Sequence, residues 1–170
     1  MDIVEISMTA PAPHGHQSEN HLINPSYYWE KRGRATWQRV LAATDNVAGP
    51  LWSNGDSSYH GTNDKVDEAV AAGLGSSLLL IEPNHLRLRV AAESMYGGGS
   101  RRRVRAAFNY SGSAYNFVVS DPWVEARYFA GPNGEYAIAE ARICVSLAEI
   151  INGIATKLVA SVITPERAGE

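Results

Sequence analysis

The sequence predicts a mainly β protein with short helices, its second half a small barrel, and three observations carry that reading. Apolar residues from Ser77 onward come in short runs that alternate with polar ones, the pattern of strands with one buried face. Turn signals separate the runs: Pro83-Asn84, Ser111-Gly112-Ser113 and Gly131-Pro132-Asn133-Gly134. A single strong helix start in this half, Asp121-Pro122, follows the strands of the central hairpin and the strand after them.

Taken in order, Asp2-Ile-Val-Glu-Ile-Ser-Met8 alternates weakly and reads as a strand. Residues 9–26 hold three prolines and three histidines and read as irregular. Trp37 to Ala43 suits a short helix. Asp45 to Gly61 is rich in Asp, Asn, Gly and Ser and reads as loop, with Leu51-Trp52 as an apolar anchor. Asn63 or Asp64 is placed to cap a helix running through Ala72, with Val66, Ala69 and Val70 as its buried stripe and Gly73 as its end. Leu78 to Ile81 is a strand. Tyr115 to Ser120 is another, and the helix from Pro122 extends to about Phe129 with Val124 and Tyr128 on one face. Tyr136 to Ser146 and Thr156 to Ile163 give two more strands, and Pro165 to Glu170 reads as a frayed tail.

The most informative stretch is Leu86 to Tyr110, a β-hairpin closed by Met95-Tyr96-Gly97-Gly98-Gly99. Period-two alternation puts Leu86, Leu88, Val90, Val104, Ala106, Phe108 and Tyr110 on one face. It puts Arg87, Arg89, Arg103 and Arg105 on the other. The loop length sets Val90 opposite Val104 and Arg89 opposite Arg105. Like charges directly opposed cost stability, so an anionic visitor to that face is expected.

Composition bounds the function. The chain has 170 residues, 45% of them hydrophobic, enough for a real core. Its one cysteine excludes an internal disulfide, and a reducing compartment, the cytoplasm, is the expected location. No apolar run approaches the ~20 residues of a membrane helix, and the acidic start at Asp2 and Glu5 is unlike a signal peptide. The net charge of −3 hides an asymmetry: residues 86–110 hold six Arg and one Glu, whereas residues 1–85 hold five Lys/Arg against ten Asp/Glu. That pattern argues against a protein that coats nucleic acid indiscriminately and allows a local basic patch.

The second half runs strand, strand, strand, helix, strand, strand, which is the chain order of an OB barrel and is also compatible with other small barrels that carry a helical insertion. Several of the same residues also resemble a known family. Asp2-Ile-Val-Glu-Ile, His16-Gln17-Ser18-Glu19-Asn20, Leu51-Trp52, Asn63-Asp64-Lys65-Val66 and Ser77-Leu78-Leu79-Leu80-Ile81 are matching pieces in its first half. Val104 to Tyr110, Ser120-Asp121-Pro122, Ile143 to Glu149 and Lys157-Leu158-Val159-Ala160 continue the match in order. The chain resembles the dual OB-containing domain of bacteria, a family of paired OB barrels often attached to, or encoded near, defence-type proteins. The resemblance implies two OB-like barrels. Residues 1–75 would form a partial first barrel, truncated because relatives usually carry earlier strands, and completed by another polypeptide or by sequence missing here. Residues 76–165 would form a complete second barrel with a helix between its third and fourth strands, and 166–170 a tail. The segment Ile150 to Thr156 departs from the pattern by lacking an aromatic before the Lys-Leu-Val-Ala element.

Such a barrel binds single strands with a groove of cations and aromatic platforms. The expected function is therefore non-catalytic recognition of single-stranded nucleic acid or a nucleotide, as a sensor or adaptor. Arg87, Arg89, Arg101, Arg102, Arg103 and Arg105 are the candidate phosphate contacts, and Tyr96 and Tyr115 the candidate stacking platforms. The competing reading of the arginines is a solvated face paired to Glu93, Glu125 or Glu140. The alternative function is a protein-interaction adaptor that docks an acidic partner on this face or on the incomplete first barrel. His14, His16 and His21 lack a recognised metal-ligand spacing, and the better reading is an irregular segment whose His16, Gln17 and Asn20 hydrogen-bond across the gap between barrels. Cys144 reads as a buried structural residue without a base beside it. Ser146 and Lys157 could be drawn as a catalytic pair, but a structural ion pair of Lys157 with Asp121 or Glu149 is the better reading. Neither Gly97-Gly98-Gly99 nor Gly73-Leu74-Gly75 has the ending of a nucleotide-hydrolase phosphate loop. Trp29, Trp37, Trp52 and Trp123 read as core or inter-barrel anchors. No enzyme activity, cofactor or metal is expected.

Overall fold

The computed structural model describes residues 1–169. Two small antiparallel ribbons open the chain. One pairs β1 (Asp2–Glu5) with β4 (Glu30–Arg34), the other β2 (Met8–Pro11) with β3 (His21–Ile23). Helix α1 (Trp37–Ala42) follows, and the Thr36 side chain caps it by accepting from Arg39 N. A short strand, β5 (Lys65–Asp67), leads into the single turn of α2 (Glu68–Ala71).

The large sheet comprises β6 (Leu78–Ile81), β7 (Asn84–Ser94), β8 (Ser100–Tyr110), β9 (Ser113–Val119), β10 (Gly134–Ala137), β11 (Arg142–Leu147) and β12 (Ile154–Ile163). Helix α3 (Pro122–Phe129) lies between β9 and β10, and α4 (Pro165–Ala168) closes the described chain. The strand order is β10-β7-β8-β9-β12-β11-β6, with β5 also paired to β12. β12 runs parallel to β9, Leu158 beside Val118, while the other pairings are antiparallel. Read from β7, the path is first, second, third, fifth, fourth, the order expected of an OB barrel with its helix after the third strand. β10 pairs outside β7 at one end of that path and β11 forms its other end, with β6 added beyond β11; residues 138–141 join β10 to β11. The chain itself therefore links the two ends; among the described residues, hydrogen bonds do not run continuously round a closed barrel.

Alternation in β7 and β8 places the core as predicted: Leu86, Leu88, Val90, Val104, Ala106 and Phe108 are all buried. Phe108, Tyr115 and Phe117 pack with ring centroids 5.3–5.4 Å apart at its centre. The loop before β5 is tied on by tyrosine hydroxyls, Leu51 N donating to Tyr115 at 3.0 Å and Val47 N to Tyr110 at 3.1 Å. At α3, Asp121 caps the helix and accepts from Arg167 and from Val162 N, so α4 is fastened to the large sheet.

Several expectations are corrected. The helix read from Asn63 is a strand until Asp67, because Lys65 to Asp67 find β12 as a partner; Val66 is buried in that strand, Ala71 is the buried helical residue, and Val70 is exposed. Tyr136 to Ser146 is two strands, since the chain must leave β7 and cross to β12. The tail is a capped helix with Ala168 buried, apart from Glu170, which lies outside the described residues. The stretch read as irregular, residues 9–26, holds most of β2 and all of β3. Trp37 is buried and Trp52 half-buried, but Trp29 and Trp123 are exposed; Trp123 lies against the guanidiniums of Arg127 and Arg167 at 5.3 and 5.0 Å. Lys157 pairs with neither Asp121 nor Glu149. Its ammonium donates to the Ser53 carbonyl and sits over the Tyr115 and Phe117 rings. Ser146 lies opposite Leu158 in the β11–β12 register, so it shares that residue's face and not that of Lys157.

Candidate nucleic-acid interface

The hairpin has the predicted register, Val90 opposite Val104 and Arg89 opposite Arg105. What relieves the opposed charges is a carboxylate from the same face. Glu93 lies four residues beyond Arg89 on β7, hence on its side of the sheet. Arg105 Nε donates to Glu93 Oε1 at 2.5 Å and its Nη2 to Oε2 at 3.3 Å. On the other flank, Arg105 Nη1 is 3.8 Å from Asp64 Oδ2. Arg105 and Glu93 side chains are each only 11% exposed. Arg103 Nε stands 4.0 Å from Glu93 and remains one-third exposed.

The other predicted cations divide. Arg102 has the opposite parity and turns to the far side. There its Nη1 donates to Phe129 O at 2.7 Å, its Nη2 to Gly131 O at 2.5 Å and its Nε to Asn133 at 2.8 Å. It satisfies carbonyls left open at the end of α3, on the side of the sheet away from Arg103 and Arg105. Arg87 is exposed, with Glu135 at 3.9 Å rather than Glu125 or Glu140. Arg89 and Arg101 are exposed. Of the tyrosines, Tyr96 projects fully into solvent from the hairpin loop. Tyr115 is 2% exposed, since it lies on the inward parity of β9; it is a core residue and not a stacking platform.

Beside Arg103 and Arg105 lies a trough of about 480 Å³. One wall is the hairpin end, Ser94, Met95 and Tyr96; the other is the loop carrying Ser58, Tyr59 and His60. His60 Nε2, 3.3 Å from the Ser94 carbonyl and hydroxyl oxygens, ties the walls together. Asn116 Nδ2 donates to His60 O at 2.8 Å, and Asp64 accepts from Ser58 N at 2.6 Å and Ser58 Oγ at 2.5 Å. Tyr59, like Tyr96, is almost wholly exposed. Two aromatic side chains thus flank guanidinium groups in one concavity. Tyr59, His60 and Asp64 were not expected in the site. For Tyr59 and His60 the available signal was a tyrosine-histidine pair inside a Ser- and Gly-rich loop; for Asp64 there was none, and only the fold brings that loop over β8 and β9.

The remaining candidates do not converge on this trough. His16 is buried, with Nε2 3.2 and 3.1 Å from the carbonyl oxygens of Leu147 and Ala148. Asn20 bonds to Gln17 within its own segment, and Glu19 accepts from Ser77 N at 3.0 Å, so residues 16–20 dock on the second half. Among the described residues, no group of three or more His, Cys, Asp or Glu is placed to hold a metal. Cys144 is half-buried, and burial together with Asp45 pushes its thiol above the ordinary range. A second hollow of about 370 Å³ lies between α3 and α4, bordered by Leu88, Trp123 and Tyr128.

The family model described as the dual OB-containing domain matches residues 1–162. The chain belongs to that family. The match spans the ribbons and the whole large sheet up to β12, and agrees with the OB strand order of β7 to β12. No curated protein and no solved structure matches this dual OB chain. No described helix is long and apolar enough to cross a membrane.

Proposed function

We propose that this dual OB domain is a non-catalytic recognition module whose trough takes single-stranded nucleic acid or a nucleotide. The observation that carries the reading is the pair of exposed tyrosines, Tyr59 and Tyr96, on either wall of a trough containing Arg103 and Arg105. Bases stack on aromatic faces irrespective of sequence, and nearby cations track the phosphates. Arg89, Arg101 and Arg103 are the cations in reach of a phosphate, because Arg105 is already neutralised and Arg102 faces elsewhere. A module of this kind would serve as a sensor or adaptor beside effector proteins in a bacterial defence-type system.

The test is a fluorescence-anisotropy panel with short single-stranded DNA, RNA and mononucleotides at low and raised salt. With about three phosphates neutralised, each contributing about 0.7 to the slope, log K should fall with log salt at a slope near −2. Tyr59→Ala with Tyr96→Ala should remove binding, and Arg103→Glu should weaken it strongly. Failure of every probe to bind at low salt rejects the reading. The internal neutralisation of Arg105 favours a second reading, a protein adaptor that presents Arg87, Arg89 and Arg101 to an acidic partner; that partner would compete with no oligonucleotide.

A further inference from the structure

Three segments of the chain meet around a hollow of about 310 Å³ that shares no residue with the trough. One wall is the turn from His14 to Gln17. His14 N donates to Gln17 O at 3.2 Å and Gln17 N to His14 O at 3.0 Å, and Gly15 between them takes a left-handed φ of +57°. The turn is held from behind: Ser18 Oγ donates to Gly75 O at 2.6 Å, and Glu19 accepts from Ser77 N at 3.0 Å. The other walls are Glu68, the first residue of α2, whose N donates to Gly153 O at 2.9 Å, and Glu149-Ile150 just after β11.

His16 limits what the hollow can take. Its Nε2 faces the carbonyl oxygens of Leu147 and Ala148. Carbonyls only accept, so Nε2 carries a proton, and in the neutral ring Nδ1 is left with a bare lone pair. His16 is 2% exposed, and among the described residues its Nδ1 is the one buried side-chain nitrogen or oxygen without a hydrogen-bond partner. Buried polar atoms are nearly always paired, so this one calls for a donor from elsewhere.

The rest of the hollow selects the donor. Glu68 and Glu149 are exposed, and neither carboxylate has an ion-pair partner among the described residues. No Lys or Arg borders the space. Two carboxylates and one lone pair are thus acceptors without a donor. An ammonium group has three donors and no acceptor, which is the complement. A metal ion needs its ligands at about 2.0–2.2 Å, and no three of these side chains are placed for that. Hydrogen bonds to an ammonium span about 2.7–2.9 Å and suit wider spacing. Ile150 offers apolar surface to an alkyl chain behind the charge.

We propose that this hollow binds a primary ammonium group on an alkyl chain, with His16 Nδ1 and the carboxylates of Glu68 and Glu149 as its acceptors. A free aliphatic diamine and a lysine side chain of another protein present the same chemistry.

Calorimetric titration of the whole chain at low salt with 1,4-diaminobutane, and separately with an end-blocked Gly-Lys-Gly peptide, tests this. Binding of the diamine assigns the site to a free amine, and binding of the peptide alone assigns it to a protein lysine. In a Glu68→Gln, Glu149→Gln variant, with both changes at exposed positions, affinity should fall about tenfold or more. In the wild type, the nitrogen-15 resonance of His16 Nδ1 should move on saturation, a readout that needs no variant. Failure of both probes to bind would overturn the proposal. So would unchanged affinity in the folded double variant, or an Nδ1 resonance that stays in place at saturation.

Discussion

Arg105 is clamped on both flanks, by Glu93 at 2.5 Å and Asp64 at 3.8 Å, and this clamp joins the hairpin to the loop that forms the far wall of the trough. The residue at the middle of the basic face therefore anchors the two walls to each other, while Arg89 and Arg101 stay exposed around it.

Removing the carboxylate at Glu93 should be costly, because it strands a mostly buried guanidinium. Glu93→Ala is expected to destabilise the chain by about 3 kcal/mol, read as a shift in the urea midpoint. Changing Glu93 and Arg105 together to apolar residues of similar size should recover much of that loss, and a double-mutant cycle gives the coupling.

Two tyrosines on neighbouring structure should behave oppositely. Tyr115→Ala opens a cavity beside Phe108 and Phe117 and removes the hydroxyl that holds Leu51 N; a loss of about 3–5 kcal/mol of stability is expected. Tyr96→Ala should leave stability within about 0.5 kcal/mol and cost about 1–3 kcal/mol of oligonucleotide affinity. Parallel thermal melts and binding titrations separate the two.

The hairpin arginines show how much was legible. Strand parity and loop length decided the register, the core face and the outward set correctly, because both follow from local geometry. Sequence could not decide which arginines are already occupied: Glu93 was among the candidate partners, but Asp64 and the α3 carbonyls reach them only through the fold. The helix read from Asn63 failed for the same reason, since the partner that turns Lys65 to Asp67 into a strand lies ninety residues further on. Local punctuation served better at Asp121-Pro122, where cap and first turn are adjacent in sequence.

Lys157 should make stability rise with pH on the alkaline side. Burial lowers its ammonium from 10.5 to about 8, partly offset by Asp64. Between pH 8 and 10.5 the unfolded chain holds a proton that the folded chain has released, so folding is favoured as pH rises through that window. Lys157→Met should flatten the rise in urea midpoints measured at successive pH values, and the wild-type minus variant difference is the quantity to follow.

Asp121 should act at the acid end. Burial raises its carboxyl, but this is outweighed by bonds from Arg167, Val162 N and Ser161, so its pKa falls below the ordinary 3.8. Its contribution is present above 3.8 and is lost as pH drops through the lower folded value. Asp121→Asn should be less stable at neutral pH and lose less on acidification, measured by thermal midpoints.

Gly61 is required by closeness rather than by backbone angle. A methyl group there would collide with the Asp64 carboxylate. Gly61→Ala should shift the wall carrying Tyr59 and His60, lowering stability by about 1–3 kcal/mol and weakening oligonucleotide binding beyond what that loss explains.

Strand β12 touches β5, β9 and β11 at once, and it follows all three in the sequence. Until it emerges, β9 and β11 each lack a neighbour, and no earlier fragment can complete the sheet. A chain interrupted before β12 therefore exposes open, apolar strand edges, the feature on which chaperone capture and aggregation compete.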